Sequence, residues 1–68
     1  MLKILEYRQA KGMTQEKLSS LSGIRRSNIS RYENGRRVPK LSDIKSIAEA
    51  LNCTIDELFE EGKDDRPA

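Results

Sequence analysis

The sequence predicts an all-α fold of five short helices packed into one small domain. Three observations carry this. Apolar residues recur at three- and four-residue steps, and no segment alternates apolar with polar as a half-buried strand does. Glycine, proline and hydroxyl residues fall where short helices stop and start. The chain has 68 residues, the size of a single domain. A domain of that size buries only about 60% of the surface its unfolded chain exposes. Its helices must therefore pack well or find a second subunit.

Ile4, Tyr7 and Arg8 share a face of a first helix that ends at Gly12, a residue suited to the left-handed backbone after a helix. Thr14 caps a second helix, with Leu18 and Leu21 on its buried face, and Ser22-Gly23 breaks it. A third helix runs from about Arg26 to Asn34 and stops at Gly35. Arg36-Arg37-Val38-Pro39 is a loop, because Pro39 pushes Val38 out of the helical region. A fourth helix spans about Leu41 to Leu51, with Leu41, Ile44, Ile47, Ala48 and Leu51 at core spacing. Asn52 ends it in left-handed geometry. Thr54-Ile55-Asp56-Glu57 fits a capping box and opens a fifth helix. From Glu60 the chain is charged, with no apolar residue until its end. The expected organisation is one domain over residues 1–61 and a flexible charged tail over residues 62–68.

Three side chains have two readings each. Cys53 is a redox switch or a small buried hydrophobe, and its place between Leu51 and Ile55 favours the core. Tyr7 and Tyr32 stack on bases or pack inward, and their core spacing favours packing, with the Tyr32 hydroxyl left to reach a partner at the rim.

Composition excludes several functions. One cysteine permits no internal disulfide, and the absence of histidine leaves no plausible zinc set. With no glycine-rich phosphate loop and no Ser or Cys beside a plausible base, no catalytic residue, cofactor or metal is expected. The N-terminus lacks a signal peptide and no stretch reads as a membrane span, so a reducing, cytoplasmic setting is expected. The net charge is only +2, but it is unevenly spread. Arg25, Arg26, Arg31, Arg36, Arg37 and Lys40 face one nearby negative residue, Glu33. Asp56, Glu57, Glu60, Glu61, Asp64 and Asp65 oppose Lys63 alone. Such a molecule orients on a polyanion, unless the charges merely form a solvated surface.

Ile29 and Tyr32 mark the inward face of the third helix. Arg26, Ser27, Ser30, Arg31 and Asn34 form the opposite stripe, which holds no apolar residue. Arginine bridges guanine O6 and N7 with two parallel bonds, worth about 1–3 kcal/mol of base discrimination. Serine lets a helix approach closely. Arg25 stands where Ser, Thr, Asp or Asn normally caps a helix. Together with Arg26 it puts positive charge at the positive end of the helix dipole, at a cost of roughly 0.3–1 kcal/mol each. A phosphate beside that helix start reverses the sign. Local preference gives way where function demands it. Gln15, Asn34, Gly35, Arg36, Arg37 and Lys40 are further candidates for phosphate, contacts that set register and affinity without choosing sequence.

With these residues in place the chain resembles the phage-repressor and Cro type of helix-turn-helix domain, the lambda-repressor-like fold, over about Ile4 to Phe59. The resemblance rests on Arg8-x-x-Lys11-Gly12-Met13-Thr14-Gln15-x-x-Leu18, Gly23-Ile24, Ile29-Ser30-Arg31-Tyr32-Glu33-Asn34-Gly35, Pro39, Ile47-Ala48-x-Ala50-Leu51 and Leu58. It implies a compact five-helix domain with the third helix in the major groove and dimers on paired half-sites. It puts Arg26, Ser27 and Arg31 at base-reading positions, with Asn28 and Ser30 beside them. It puts Gln15 and Asn34 at phosphate positions, with Arg25 at the start of the third helix. It also implies a structural ion pair between Arg8 and Glu33. Arg25 and Lys40 depart from the family pattern, which has small or hydroxyl residues there.

One such helix spans few base pairs, and two on a two-fold axis double the readout. The family's dimer surface involves the fifth helix and the loop before it, which here supplies Ile55, Leu58 and Phe59. Phe59 either meets a partner or plugs the base of the core. The function expected is a DNA-binding transcriptional regulator, a repressor in particular, binding a palindromic operator in double-stranded DNA as a homodimer. No membrane partner or small-molecule ligand is expected. The alternatives are a DNA-binding antitoxin, a restriction-modification controller protein, and, in another class, a protein-interaction module on the same fold.

Overall fold

The structure, a computed structural model, describes residues 2–59. Among the described residues there are five α-helices and no strand: α1 (Ile4–Ala10), α2 (Gln15–Ser22), α3 (Arg26–Glu33), α4 (Leu41–Leu51) and α5 (Ile55–Leu58). The expected tail over residues 62–68, and the acidic residues from Glu60 onward, lie outside the described residues.

Local chemistry sets most boundaries. The Thr14 hydroxyl accepts the Lys17 N–H at 3.0 Å, satisfying a donor that the start of α2 leaves open. Gly23, at φ 78°, closes α2 in left-handed geometry and gives its N–H to the Ser19 carbonyl at 2.9 Å. Asn52 ends α4 at φ 57° and ψ 47°, as its short polar side chain allows. α5 has four residues, too few to hold itself together. Its capping box supplies the missing bonds: Thr54 Oγ1 accepts the Glu57 N–H at 3.0 Å, and Glu57 Oε1 accepts the Thr54 N–H at 2.8 Å. By contrast Arg25 and Lys40, the residues before α3 and α4, make no side-chain capping bond.

One core joins all five helices. Ile4, Leu18, Ile29, Ile47, Leu51 and Leu58 are fully buried, with Ile24, Tyr32, Ile44 and Ala48 nearly so. α2 lies against both α3 and α4. The two ends of the domain are tied by a backbone bond, Lys3 N–H to the Leu58 carbonyl at 2.9 Å. Tyr7 and Cys53 pack against this core partly buried.

Two expected core residues lie outside it. Leu21 is 52% exposed and Leu41 60% exposed. Leu21 sits in the last turn of α2, while Leu18 fills the core place. Leu41 is the first residue of α4, past the end of the buried stripe at Ile44, Ile47, Ala48 and Leu51. α1 also stops at Ala10, two residues before the left-handed Gly12 (φ 64°).

Candidate nucleic-acid interface

α3 has two opposite faces. Ile29 and Tyr32 point into the core. Arg26, Ser27 and Arg31 are exposed, and Asn28 and Ser30 are half-buried beside them. Eight residues make a rod about 12 Å long, comparable to the width of a DNA major groove. The predicted base-reading stripe is therefore on one solvent-facing surface. Within it Arg31 Nη1 donates to Asn28 Oδ1 at 3.1 Å, and Asn34 Nδ2 to Ser30 Oγ at 3.4 Å. The first bond holds the Arg31 guanidinium along the helix and leaves most of its donors open.

The turn between α2 and α3 is held by side chains. Ser19 Oγ donates to the Ile24 carbonyl, and the Ile24 N–H donates to Ser22 Oγ at 3.2 Å. Buried Ile24 pins the middle of the turn to the core. These bonds fix the angle between the two helices without bulk at their junction.

A polar brace sets α3 against α1 and α2. Arg8 Nε donates to Glu33 Oε2 at 2.6 Å and Nη2 to Oε1 at 3.1 Å. Arg8 Nη1 reaches the Met13 carbonyl at 2.8 Å, in the turn before α2. Gln15 Nε2 donates to Glu33 Oε1 at 2.9 Å. The Glu33 side chain is 4% exposed, and three donors, two from Arg8 and one from Gln15, satisfy its oxygens. The predicted ion pair is thus present, with two partners, Met13 and Gln15, that sequence reasoning missed. One amide proton of Gln15 is spent on this brace and the other remains open.

A second brace joins α3 to α4: the Tyr32 hydroxyl donates to Asp43 Oδ2. Burial pushes the Tyr32 phenol up from its ordinary value of 10.0. The Asp43 bond and charge add to this, and nearby Arg37 opposes it. The rim partner of Tyr32 was expected but not named. An acidic residue in the first turn of α4 was the available signal, since that position also suits the helix dipole.

Between these braces runs the basic loop. Its backbone is anchored by Arg36 N–H to the Arg31 carbonyl at 2.9 Å and Gly35 N–H to the Tyr32 carbonyl at 3.3 Å. Arg36, Arg37 and Lys40 are exposed, as are Arg25 and Asn34. The side chains of Arg25, Arg26, Arg36, Arg37 and Lys40 have no hydrogen-bond or ion-pair partner among the described residues. They present uncompensated positive charge beside the α3 stripe. Cys53 lies apart from this surface, its thiol pushed up by burial and by Glu57. Among the described residues no group of His, Cys, Asp and Glu is placed to hold a metal, and no helix is long and apolar enough to cross a membrane.

The predicted dimer patch needs one correction. Leu58 is fully buried and offers no surface to a partner. Its side chain is consumed by the core because α5 has one turn with which to attach itself. Ile55 also packs against the core partly buried, which leaves Phe59, 41% exposed, as the free apolar group there.

Residues 4–58 match the family described as Helix-turn-helix. An uncharacterized HTH-type transcriptional regulator of Archaeoglobus fulgidus is 40% identical over 57 residues, covering 84% of this chain and 81% of that protein. The HTH-type transcriptional repressor RghR of Bacillus subtilis is 42% identical over 53 residues, covering 76% of this chain and 39% of the repressor. The crystal structure of the restriction-modification controller protein C.AhdI from Aeromonas hydrophila superposes with a TM-score of 0.80. It is 43% identical, with 82% of this chain and 85% of that one covered. The share of a curated relative's length that this chain spans ranges from 28%, for the transcriptional activator BcrR of Enterococcus faecalis, to 81%. The chain belongs to the helix-turn-helix family of phage-repressor and Cro type, whose members are DNA-binding transcriptional regulators.

Proposed function

We propose that this protein binds a palindromic operator as a homodimer through α3 in the major groove, and represses transcription by occluding polymerase. Arg26, Ser27 and Arg31 read base edges, with Asn28 and Ser30 contributing to bases or phosphate. Arg25, Asn34, Arg36, Arg37, Lys40 and the open amide proton of Gln15 hold phosphates on either side. Arg8 and Glu33 act on architecture. The protein works in the cytoplasm as a binding module, without catalysis or cofactor.

One observation carries this reading. The outward face of α3 holds exposed Arg26, Ser27 and Arg31 with no apolar residue among them, while Ile29 and Tyr32 hold the rod to the core. A protein-docking helix would instead present apolar anchors. Selection of bound duplexes from a random pool at stated salt tests it. A recovered inverted repeat is expected, with half-sites about one helical turn apart. Recovery of unrelated sequences bound equally well would end the reading.

A second reading is favoured by the 43% identity to a restriction-modification controller protein over most of both chains. On that reading the selected operator lies upstream of genes for a DNA methyltransferase and an endonuclease.

A further inference from the structure

Arg31 differs from the other arginine on the outward face of α3. Residues three apart in a helix are neighbours on its surface, and Asn28 stands three before Arg31. Arg31 Nη1 donates to Asn28 Oδ1 at 3.1 Å. The Arg26 side chain has no such partner among the described residues. The Asn28–Arg31 bond is exposed, where exchange with water leaves a hydrogen bond little net stability to contribute. What it does is select one orientation of each group. A guanidinium holds donors alone, so the amide corner that faces it is the oxygen, and Nδ2 points elsewhere. Asparagine reads adenine with its oxygen and nitrogen together. In Asn28 the oxygen is turned along the helix to Arg31, so that contact is not set up. The guanidinium keeps its Nε–Nη2 edge, two parallel N–H groups suited to O6 and N7 of guanine.

We propose that Asn28 is a positioning residue, acting on DNA through Arg31 and not as a reader of a base of its own. The proposal rests on the reading that Arg31 reads bases, and deepens it. An arginine side chain loses rotamer freedom when it settles on a base, and that loss opposes binding. A partner that already holds one orientation reduces the loss. Asn28 suits the part, because it is half-buried and its short side chain has less freedom to lose. The benefit is also selective. Only a base that offers two acceptors to the free edge gains from the fixed orientation, so Asn28 sharpens the choice of guanine without touching it.

Two measurements on the full chain test this. The first is NMR relaxation of the arginine Nε–H groups in the free protein. The Arg31 group should be more ordered than that of Arg26 on the fast timescale of side-chain rotamer exchange, and Asn28→Ala should make the two alike. An Arg31 as mobile as Arg26 in the wild type overturns the proposal before DNA is added. The second is binding to the selected operator and to duplexes carrying each other base pair at each half-site position. Arg31→Ala marks the position that Arg31 reads. Asn28→Ala should lower preference at that same position about three- to tenfold, and change nothing further in the Arg31→Ala background. Alanine favours a helix more than asparagine does, so α3 survives the change. An additive loss at a different base pair overturns the proposal, since Asn28 then reads that base itself. Equal weakening on every duplex, with a lower salt slope, also overturns it and makes Asn28 a phosphate contact. An Arg31→Ala variant with every base preference intact overturns the base-reading assignment of Arg31, and the proposal with it.

Discussion

Arg8 on α1 and Glu33 at the end of α3 meet through two side-by-side bonds, at 2.6 and 3.1 Å. Their side chains are 13% and 4% exposed. Removing one partner strands the other charge, so Glu33→Ala should cost about 3–5 kcal/mol. That is a large share of the stability of a domain this small. Replacing both, as Arg8→Met with Glu33→Leu, should recover much of the loss, since the pair's own net contribution is small. Urea unfolding of the two single variants and the double gives the coupling directly. Additive costs would remove the pair from the architecture.

Tyr32 and Asp43 set an alkaline limit. The folded phenol titrates above its ordinary value of 10.0. The folded state therefore holds the proton more tightly than the unfolded chain, and stability is complete below pH 10. It falls as the pH rises from there through the folded value. Tyr32→Phe should lose about 1–2 kcal/mol at neutral pH for the missing bond to a carboxylate. It should also unfold less steeply than wild type above pH 10. Parallel pH–stability curves for the two proteins would show that Tyr32 does not set the limit.

Cys53 follows the same sign. Burial and the Glu57 charge raise the thiol above its ordinary 9.0, against a weaker pull from Lys11. The thiolate is the reactive form, so native Cys53 should react with iodoacetamide more slowly at pH 8 than Cys53 in urea. The stability it contributes is lost as pH rises above 9. Equal alkylation rates in the two states would favour an exposed, switch-like thiol over a core residue.

The exposed arginines should separate into two classes. Arg26→Ala and Arg31→Ala should relax preference at particular base pairs, by about 1–3 kcal/mol each. Arg36→Ala and Arg37→Ala should weaken binding to every sequence and lower the salt slope by about one unit. Binding isotherms on the selected operator and a scrambled duplex, at several salt concentrations, measure both. A uniform loss for Arg26 or Arg31 would move that residue to the phosphate class.

These expectations trace to features of unequal legibility in the chain. Helix boundaries at Thr14, Gly23, Asn52 and Thr54 were readable because each is a local event, one side chain or one backbone angle within four residues. The outward stripe of α3 was readable for the same reason, from the inward spacing of Ile29 and Tyr32. Leu21 and Leu41 were misplaced because helical period says which way a residue points, not whether another helix reaches that far. Leu58 was misassigned because a one-turn helix must spend its leucine on attachment, which depends on a packing partner. The bonds from Gln15 to Glu33 and from Tyr32 to Asp43 cross 18 and 11 residues of chain, and no periodicity encodes them. A cleft lined by Leu2, Leu5, Val38, Pro39 and Phe59 joins residues far apart in sequence, so it exists only once they are packed.

Arg25 offers the sharpest separation of stability from function. It precedes α3 in extended geometry, φ −61° and ψ 142°, the backbone of a capping residue, yet it makes no capping bond. Its charge and that of Arg26 stand at the positive end of the helix, and the first turn of α3 holds no acidic residue to offset them. Arg25→Asp should supply both a cap and a favourable charge, raising stability by about 1 kcal/mol, or about 4–8 °C in a domain this small. The same change should repel the phosphate proposed to lie there and weaken binding to all duplexes. Thermal unfolding and operator binding of the one variant test both halves. A variant stabilised with unchanged affinity would leave the missing cap without a functional cause, and one that loses both properties would show that Arg25 supports the start of α3 itself.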